Sequence, residues 1–109
     1  GLSNAMLLPA VTKYSIPAAE QRYADAARAM GVAEQSDSSV RANQKLMDEL
    51  FAINRELSVP TPAEFGIPRA QFFDNLSIKA EQALASGSPA NNPRVPDADA
   101  IIGIYKQLW

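Results

Sequence analysis

Hydrophobic residues recur every three or four positions between residues 40 and 57. The stripe consists of Leu46, Met47, Leu50, Phe51, Ile53 and Leu57. The charged residues of this segment fall mostly off the stripe, as in an amphipathic helix whose apolar side is buried. The pattern predicts a helix from Val40 to Leu57, preceded by a polar loop over residues 34–39 and ended by Pro60 and Pro62.

The same spacing predicts helices on both sides of this one. We expect helices over residues 2–14, which Pro9 bends or interrupts, and over 18–30, with Gly31 as a left-handed cap. Further helices are expected over 69–86, ended by Gly87, and after Asp97. The predicted core residues are Tyr23, Ala27 and Met30; Phe72, Phe73, Leu76, Ala80, Ala83 and Leu84; and Ile101, Ile104, Tyr105 and Leu108. The residues expected to face water on the second helix are Glu20, Arg22, Asp25 and Arg28.

Between these helices, Thr61 and Glu64 have the spacing of a capping box around a single helical turn. No stretch alternates apolar and polar residues in the way a half-buried strand does. The fold class is therefore predicted to be all-α. We expect a bundle of about five to six helices that forms one domain over residues 1–109.

The amino-acid composition excludes several kinds of catalytic and metal-binding site. The 109 residues include no cysteine and no histidine. The missing cysteines exclude a disulfide framework, a thiolate zinc site and a thiol nucleophile within this chain. The missing histidines exclude a Ser-His-Asp arrangement and remove the commonest general base and transition-metal ligand. Catalysis by carboxylates alone, or binding without catalysis, remains open.

Charge and hydropathy give no sign of a polyanionic or membrane partner. The net charge is −2, so we expect neither nucleic acid nor an anionic membrane as a partner. The longest apolar stretch, residues 5–11, is too short to span a bilayer and lacks the basic flank of a signal peptide. These features favour a cytoplasmic protein.

The polar residues that stand out each have a structural interpretation. Asp97 and Asp99 sit at a predicted helix start, where a cap is favoured over a metal or catalytic pair. The adjacent acids Asp48 and Glu49 point in different directions on a helix.

Arg94 follows Pro93 in a stiff loop. It could bind a carboxylate or phosphate, but is more often found pinning such a loop to backbone carbonyls. Asn91 and Asn92 typically make local turns.

Several segments, in order, resemble the iron-containing (group III) alcohol dehydrogenases. The first is Gly1-Leu2-Ser3-Asn4-Ala5-Met6-Leu7-Leu8-Pro9, similar to the family's G-x-x-N-A-x-L-L-P stretch. The next ones are Tyr23 to Val32, Leu57-Ser58-Val59-Pro60, and Phe65-Gly66-Ile67. The last ones are Asn92-Pro93-Arg94 and the final helix with Leu108-Trp109. The resemblance covers essentially the whole chain.

The resemblance implies the helical C-terminal domain of the dehydroquinate synthase-like fold. In that family an N-terminal domain binds NAD(P), and one Asp and three His hold iron or sometimes zinc. The last His precedes the glycine that Gly1 resembles, so these 109 residues are expected to hold no catalytic residue, metal ligand or cofactor-binding residue. The loop before Asn92-Pro93-Arg94 approaches the substrate, which would place Ser88, Pro89 and Ala90 at the pocket. Asn92 and Arg94 would then anchor that loop.

The first residues, Gly1-Leu2-Ser3 without an initiator Met, allow a processed terminus, a start within a longer protein, or a vector remnant ahead of Met6. The resemblance disfavours the remnant, because Ser3-Asn4-Ala5 matches the family.

Two hypotheses of function follow, with a third held as remote. The leading one is an inactive C-terminal fragment of an NAD(P)-linked, metal-dependent alcohol dehydrogenase, associated with its missing N-terminal domain or forming a homo-oligomer. The alternative is a free-standing helical module for protein interaction or self-association. The alternative rests on apolar faces that the first helices and the nucleotide domain of the family would cover, with Leu7, Leu8, Val11, Phe72 and Phe73 as the candidates. The third is a small enzyme that uses carboxylates alone, although no acid pair converges.

Overall fold

The computed structural model describes residues 2–109, with side chains from residue 4 onward. Gly1, which the resemblance places directly after a metal ligand, lies outside the described residues. The described part forms six α-helices and two short 3-10 helices and contains no strand, so the all-α prediction is confirmed. The α-helices are α1 (Leu2–Ser15), α2 (Glu20–Ala29), α3 (Ser39–Glu56), α4 (Arg69–Asp74), α5 (Leu76–Ser86) and α6 (Ala98–Leu108). The 3-10 helices cover Ile16–Ala18 and Ser88–Asn91.

Helix α1 continues through Pro9. A proline inside a helix has no N–H to donate to the carbonyl four residues earlier, here that of Ala5. The side-chain amide of Asn54 on α3 donates to this carbonyl at 2.9 Å. The hydrogen bond that Pro9 removes from α1 is thus replaced by one from a neighbouring helix.

Helices α2 and α3 pack through small residues. Ala24, Ala27 and Ala42 are completely buried, and Leu46 is buried with them. Because alanine side chains are short, the two helices can approach closely at this contact. Tyr23 lies partly buried against the same cluster.

Two predictions for α2 were wrong. Met30 is 53% exposed, because α2 ends at Ala29 and the chain turns away at Gly31, which has a left-handed φ of 79°. Arg28, expected in water, has a side chain only 12% exposed. Its guanidinium donates to the backbone carbonyl of Asp37 at 2.7 Å and to the Asp25 carboxylate at 2.9 Å.

Asp37 organises the turn between α2 and α3. Its carboxylate accepts hydrogen bonds from the Lys45 ammonium at 2.6 Å and from the Glu34 backbone amide at 2.8 Å. The Lys45 hydrogen bond, followed by that from the Glu34 amide, holds the pKa of Asp37 below its usual value. Next to it, Ser38 accepts from the amide of Arg41 and caps α3.

The apolar stripe of α3 is wider than the surface that neighbouring helices cover. Phe51 is 49% exposed and Leu57 is 70% exposed, so their predicted burial was wrong. Leu46 packs against α2, whereas Leu57 lies at the C-cap of α3, beyond its last helical residue.

Ser58 follows with a φ of 54°, a left-handed conformation that is unfavourable for residues other than glycine. The capping box downstream is confirmed, since Thr61 and Glu64 exchange backbone-to-side-chain hydrogen bonds of 3.1 and 3.2 Å.

The single helix predicted over residues 69–86 is two helices, with a break at Asn75. Asn75 has φ −93° and ψ 2°, outside the helical region, and asparagine is a weak helix former because its side chain competes for backbone hydrogen bonds. Phe72 just before the break is 2% exposed, so its predicted place in the core is confirmed and its candidacy for an exposed apolar face is wrong. Leu84, predicted in the core, is 41% exposed.

An aromatic cluster joins α4 to the chain end. The Phe72 ring centroid lies 5.5 Å from that of Phe73 and 5.4 Å from that of Trp109. The Phe72–Phe73 pair has the edge-to-face arrangement that aromatic rings favour, and the Phe72 and Trp109 rings are tilted by 30° to each other. Phe73 itself is half-buried, as are Leu7 and Val11, while Leu8 is 50% exposed.

The main helix contacts form a linear order, α2–α3–α1–α6–α5, with α1 in the middle. The described residues accordingly extend over 45 × 29 × 19 Å. None of the helices in residues 2–109 is both long and apolar enough to cross a membrane.

Candidate functional site

A cleft of about 390 Å³ opens where α1, the end of α5, the second 3-10 helix and α6 meet. We call it the loop cleft. Its apolar lining comes from Leu7, Val11, Tyr14, Ala83, Pro89, Pro96, Ile101, Ile104 and Tyr105, and its polar lining from Asn4, Ser86, Ser88 and Asn92. Its volume falls within the range of about 300–1,000 Å³ that small-molecule sites have.

The chain reaches the loop cleft through a sharp change of direction after α5. Gly87 takes a left-handed φ of 79° and ends the helix, and Ser88–Asn91 then forms the 3-10 helix, which includes Pro89. Ser86 stabilises the turn, because its hydroxyl donates to the Ala83 carbonyl at 2.6 Å and accepts from the Ser88 amide at 3.3 Å. Ser88 and Pro89 line the cleft, whereas Ala90 is not among its lining residues.

Asn92 fastens the end of this loop to α1. Its side-chain amide donates to the Ser15 hydroxyl and to the Arg94 backbone carbonyl, both at 2.7 Å. Ser15 is completely buried, and its hydroxyl donates in turn to the Val11 carbonyl at 2.7 Å. The role of Ser15 could not be predicted from the sequence, because no local pattern around an isolated serine at a helix end indicates which distant residue it contacts.

Arg94 makes a second connection to the same end of α1. Its guanidinium donates to the Tyr14 backbone carbonyl at 3.2 Å and lies 4.1 Å from the centroid of the Tyr14 ring. A guanidinium stacked on an aromatic face is an attractive cation–π arrangement. Both contacts are with Tyr14, so the Arg94 guanidinium holds the loop against the end of α1.

The chemical character of the loop cleft is neutral. No Asp, Glu, Lys or Arg is found among the described residues that line it. Such a lining suits a small uncharged polar molecule, which Asn and Ser side chains can orient by hydrogen bonds while the apolar walls cover its carbon atoms.

The acidic residues singled out from the sequence do not converge on a site. Asp97 caps α6 by accepting from the Ala100 amide at 2.8 Å, as predicted, and Asp99 lies in the first turn of that helix. Within residues 2–109, no group of three or more His, Cys, Asp or Glu side chains lies close enough together to hold a metal ion. The described donors therefore do not fit the Asp and three His of an iron site.

Comparisons with known proteins agree along the whole chain. Residues 1–109 match the family described as "Fe-containing alcohol dehydrogenase family, C-terminal". Over 100% of this chain, lactaldehyde reductase of Escherichia coli (strain K12) is 29% identical and 1,3-propanediol dehydrogenase of Klebsiella pneumoniae is 30% identical. The matched regions are 28% and 27% of those proteins, so the chain spans little more than a quarter of their length. A crystal structure of 1,3-propanediol oxidoreductase is similar over 100% of this chain and 28% of its own, with a TM-score of 0.88 and 27% identity.

Proposed function

Because the chain belongs to the Fe-containing alcohol dehydrogenase family, we propose that it serves as the C-terminal helical region of an NAD(P)-linked oxidoreductase. The reaction is the interconversion of a small alcohol and its aldehyde or ketone. The relatives named lactaldehyde reductase and 1,3-propanediol dehydrogenase support this substrate class. In this proposal the loop cleft is one wall of the substrate pocket, in a cytoplasmic enzyme.

The observation that carries the proposal is the loop cleft with Ser88 and Pro89 in its lining. The family resemblance implies that Ser88, Pro89 and Ala90 lie near the alcohol. Their neighbours Leu7, Val11 and Ile104 form an apolar wall, and no charged residue shares the lining within the described part. A neutral alcohol fits such a wall, whereas a charged substrate would lose hydration there without compensation.

The chain's role in this proposal is binding and shaping rather than chemistry. A bound metal in this family supplies polarisation of the carbonyl oxygen, and the nicotinamide supplies hydride. The 109 residues contain no histidine, and their described acids form no ligand cluster, so both functions are assigned to protein outside these residues. On its own the chain is expected to be inactive.

The first experiment measures turnover by the purified 109-residue chain. We expect no oxidation of NADH or NADPH with lactaldehyde or propanal, and no stoichiometric iron or zinc by elemental analysis. Turnover by the chain alone would contradict the proposal.

The second experiment places the chain within a full-length relative. The corresponding C-terminal region of the Klebsiella 1,3-propanediol dehydrogenase is replaced by this chain, and alcohol oxidation is measured. We expect an active chimera whose KM rises when Ser88→Trp fills the loop cleft, while the matched variant Ser77→Trp, at an exposed position on α5, leaves KM unchanged. A folded, metal-loaded chimera without activity, or equal effects of the two variants, would refute the assignment.

A second candidate is a free-standing interaction module, and the exposure of large apolar side chains favours it. Phe65 is 61% exposed, in addition to Leu8, Phe51 and Leu57. Exposed apolar side chains in contiguous patches drive association, either with an N-terminal domain or between copies of the chain. Light scattering after size exclusion tests this candidate, since a monomer that binds no hydrophobic dye would contradict it.

A further inference from the structure

A second cleft, of about 410 Å³, lies between α1, α5, α6 and the segment 62–67. We call it the lysine cleft. Its described lining is apolar or aromatic, including Met6, Phe65, Ile67 and Leu108, with the single exception of Lys79. The volume is in the range of about 300–1,000 Å³ that small-molecule sites occupy.

Lys79 is held against two aromatic rings. Its ammonium nitrogen lies 4.7 Å from the ring centroid of Phe72 and 5.7 Å from that of Tyr105. Ring faces attract a cation, but they do not accept hydrogen bonds from all three of its N–H groups. The side chain is half-buried, which removes part of the water that would otherwise solvate the charge.

The charge of Lys79 has no anionic partner in the described residues. The ion pairs found there join Arg28 to Asp25 and Lys45 to Asp37, both in the α2–α3 region. No Asp or Glu belongs to the described lining of the lysine cleft, and no hydrogen bond of the Lys79 ammonium is found within residues 2–109. The cleft thus presents one positive charge within an otherwise apolar surface.

We propose that the lysine cleft binds a small monocarboxylate with an aliphatic chain. The carboxylate would accept hydrogen bonds from the Lys79 ammonium, and the chain would cover apolar wall residues such as Leu7 and Leu108. A charge-assisted hydrogen bond of this kind is stronger than one between neutral groups. A phosphate ester fits less well, because the lining offers one cation for a doubly charged group.

The lysine cleft adjoins the proposed alcohol pocket but differs from it in charge. The two clefts share Leu7 and Tyr105 as lining residues, but the loop cleft contains no charged side chain in its described lining. Carboxylate binding at this cleft depends on Lys79 and its surroundings and does not require that the chain serve a dehydrogenase.

The test uses the 109-residue chain and its single tryptophan. Trp109 packs 5.4 Å from the Phe72 ring, whose centroid lies 4.7 Å from the Lys79 ammonium, so Trp109 fluorescence reports on the cleft. Sodium hexanoate is titrated at constant ionic strength, with hexan-1-ol as the neutral ligand of the same chain length. We expect a saturable response to hexanoate and at least about tenfold weaker binding of hexan-1-ol, the loss that one charged hydrogen bond implies.

Substitutions of two lysines test whether the carboxylate binds at Lys79. Lys79→Met keeps the aliphatic stem and is expected to weaken hexanoate binding about tenfold, while Lys79→Arg retains it. Lys13→Met, an exposed lysine that lines a different cleft, should leave the affinity unchanged.

Three outcomes would overturn the proposal: no saturable response, equal affinity for hexanoate and hexan-1-ol, or unchanged hexanoate binding by a folded Lys79→Met chain. If Lys79→Met fails to fold, the hexanoate and hexan-1-ol affinities of the unaltered chain decide the matter.

Discussion

The side-chain amide of Asn54 donates a 2.9 Å hydrogen bond to the backbone carbonyl of Ala5, the group that Pro9 deprives of its helical partner. This hydrogen bond joins α3 to α1 at a carbonyl that receives no hydrogen bond from residue 9, because Pro9 has no backbone N–H. Proline in the middle of α1 is therefore tolerated, because another helix supplies the donor.

We expect Asn54→Ala to lower the free energy of unfolding by about 1–2 kcal/mol, since the part-buried Ala5 carbonyl loses its donor. In a Pro9→Ala background the new amide of residue 9 can donate to the same carbonyl, so Asn54→Ala should cost clearly less there. Urea denaturation followed by circular dichroism measures both. Equal costs in the two backgrounds would show that the Asn54 hydrogen bond does not replace the one lost at Pro9.

The loop cleft depends on how Asn92 is held. Asn92→Ala removes the hydrogen bonds to Ser15 and to the Arg94 carbonyl, and should lower stability by about 1–2 kcal/mol. Amide hydrogen exchange over residues 88–94 should rise at the same time. The neighbouring variant Asn91→Ala, at an exposed position, is the control and should stay within about 0.5 kcal/mol of the unaltered chain. A larger effect at residue 91 than at residue 92 would contradict this account of the loop.

The two acids at the start of α6 should differ in their contributions. Asp97→Ala removes the cap on the Ala100 amide and is expected to cost about 1 kcal/mol. Asp99→Ala loses only the attraction between its charge and the positive end of the helix, about 0.5 kcal/mol. Thermal unfolding at low and high salt separates them, because salt should reduce the Asp99 effect more. The reverse order of costs would argue against Asp97 as the cap.

Acid should destabilise the turn between α2 and α3. The folded state lowers the pKa of Asp37 through the Lys45 ammonium and the Glu34 amide, so folding favours the ionised carboxylate. The stabilisation is present above the unfolded pKa of about 4 and is lost as pH falls through the lower folded value. We expect the urea midpoint to fall between about pH 5 and pH 3, and Asp37→Asn to remove part of that dependence. Asp48→Asn, at an exposed position on α3, is the comparison and should leave the pH dependence unchanged. A pH profile unchanged by Asp37→Asn would contradict the assignment.

Ser58 offers a stabilising substitution. Its φ of 54° costs a non-glycine residue about 1 kcal/mol, so Ser58→Gly should raise stability by about 0.5–1 kcal/mol. Gln44→Gly, at an exposed position inside α3, should lower stability by about 1 kcal/mol because the backbone there is already favourable. Chemical denaturation of both variants provides the check, and destabilisation by Ser58→Gly would be the contrary result.

Features that depend on near neighbours in the chain could be predicted from the sequence. The cap at Asp97 and the capping box of Thr61 and Glu64 each join residues three positions apart, and both are present. Their geometry follows from the helix itself, so no knowledge of the rest of the fold is needed.

Features set by packing between helices could not be predicted in this way. Met30, Phe51 and Leu84 belong to predicted apolar stripes, but a residue on such a stripe is buried only where a neighbouring helix covers it. Likewise, the Asn92–Ser15 hydrogen bond spans 77 positions and no local pattern specifies it. The family resemblance implies that Ser88, Pro89 and Ala90 lie at the alcohol pocket, and Ser88 and Pro89 are among the residues that line the loop cleft.

The linear order of the helices has a consequence for how the chain opens. The α2–α3 pair and the α5–α6 pair each reach the other mainly through α1. Two regions joined by one helix can unfold in separate steps. An opening of the α2–α3 contact would therefore leave α1, α5 and α6, the helices that build the loop cleft, packed against one another.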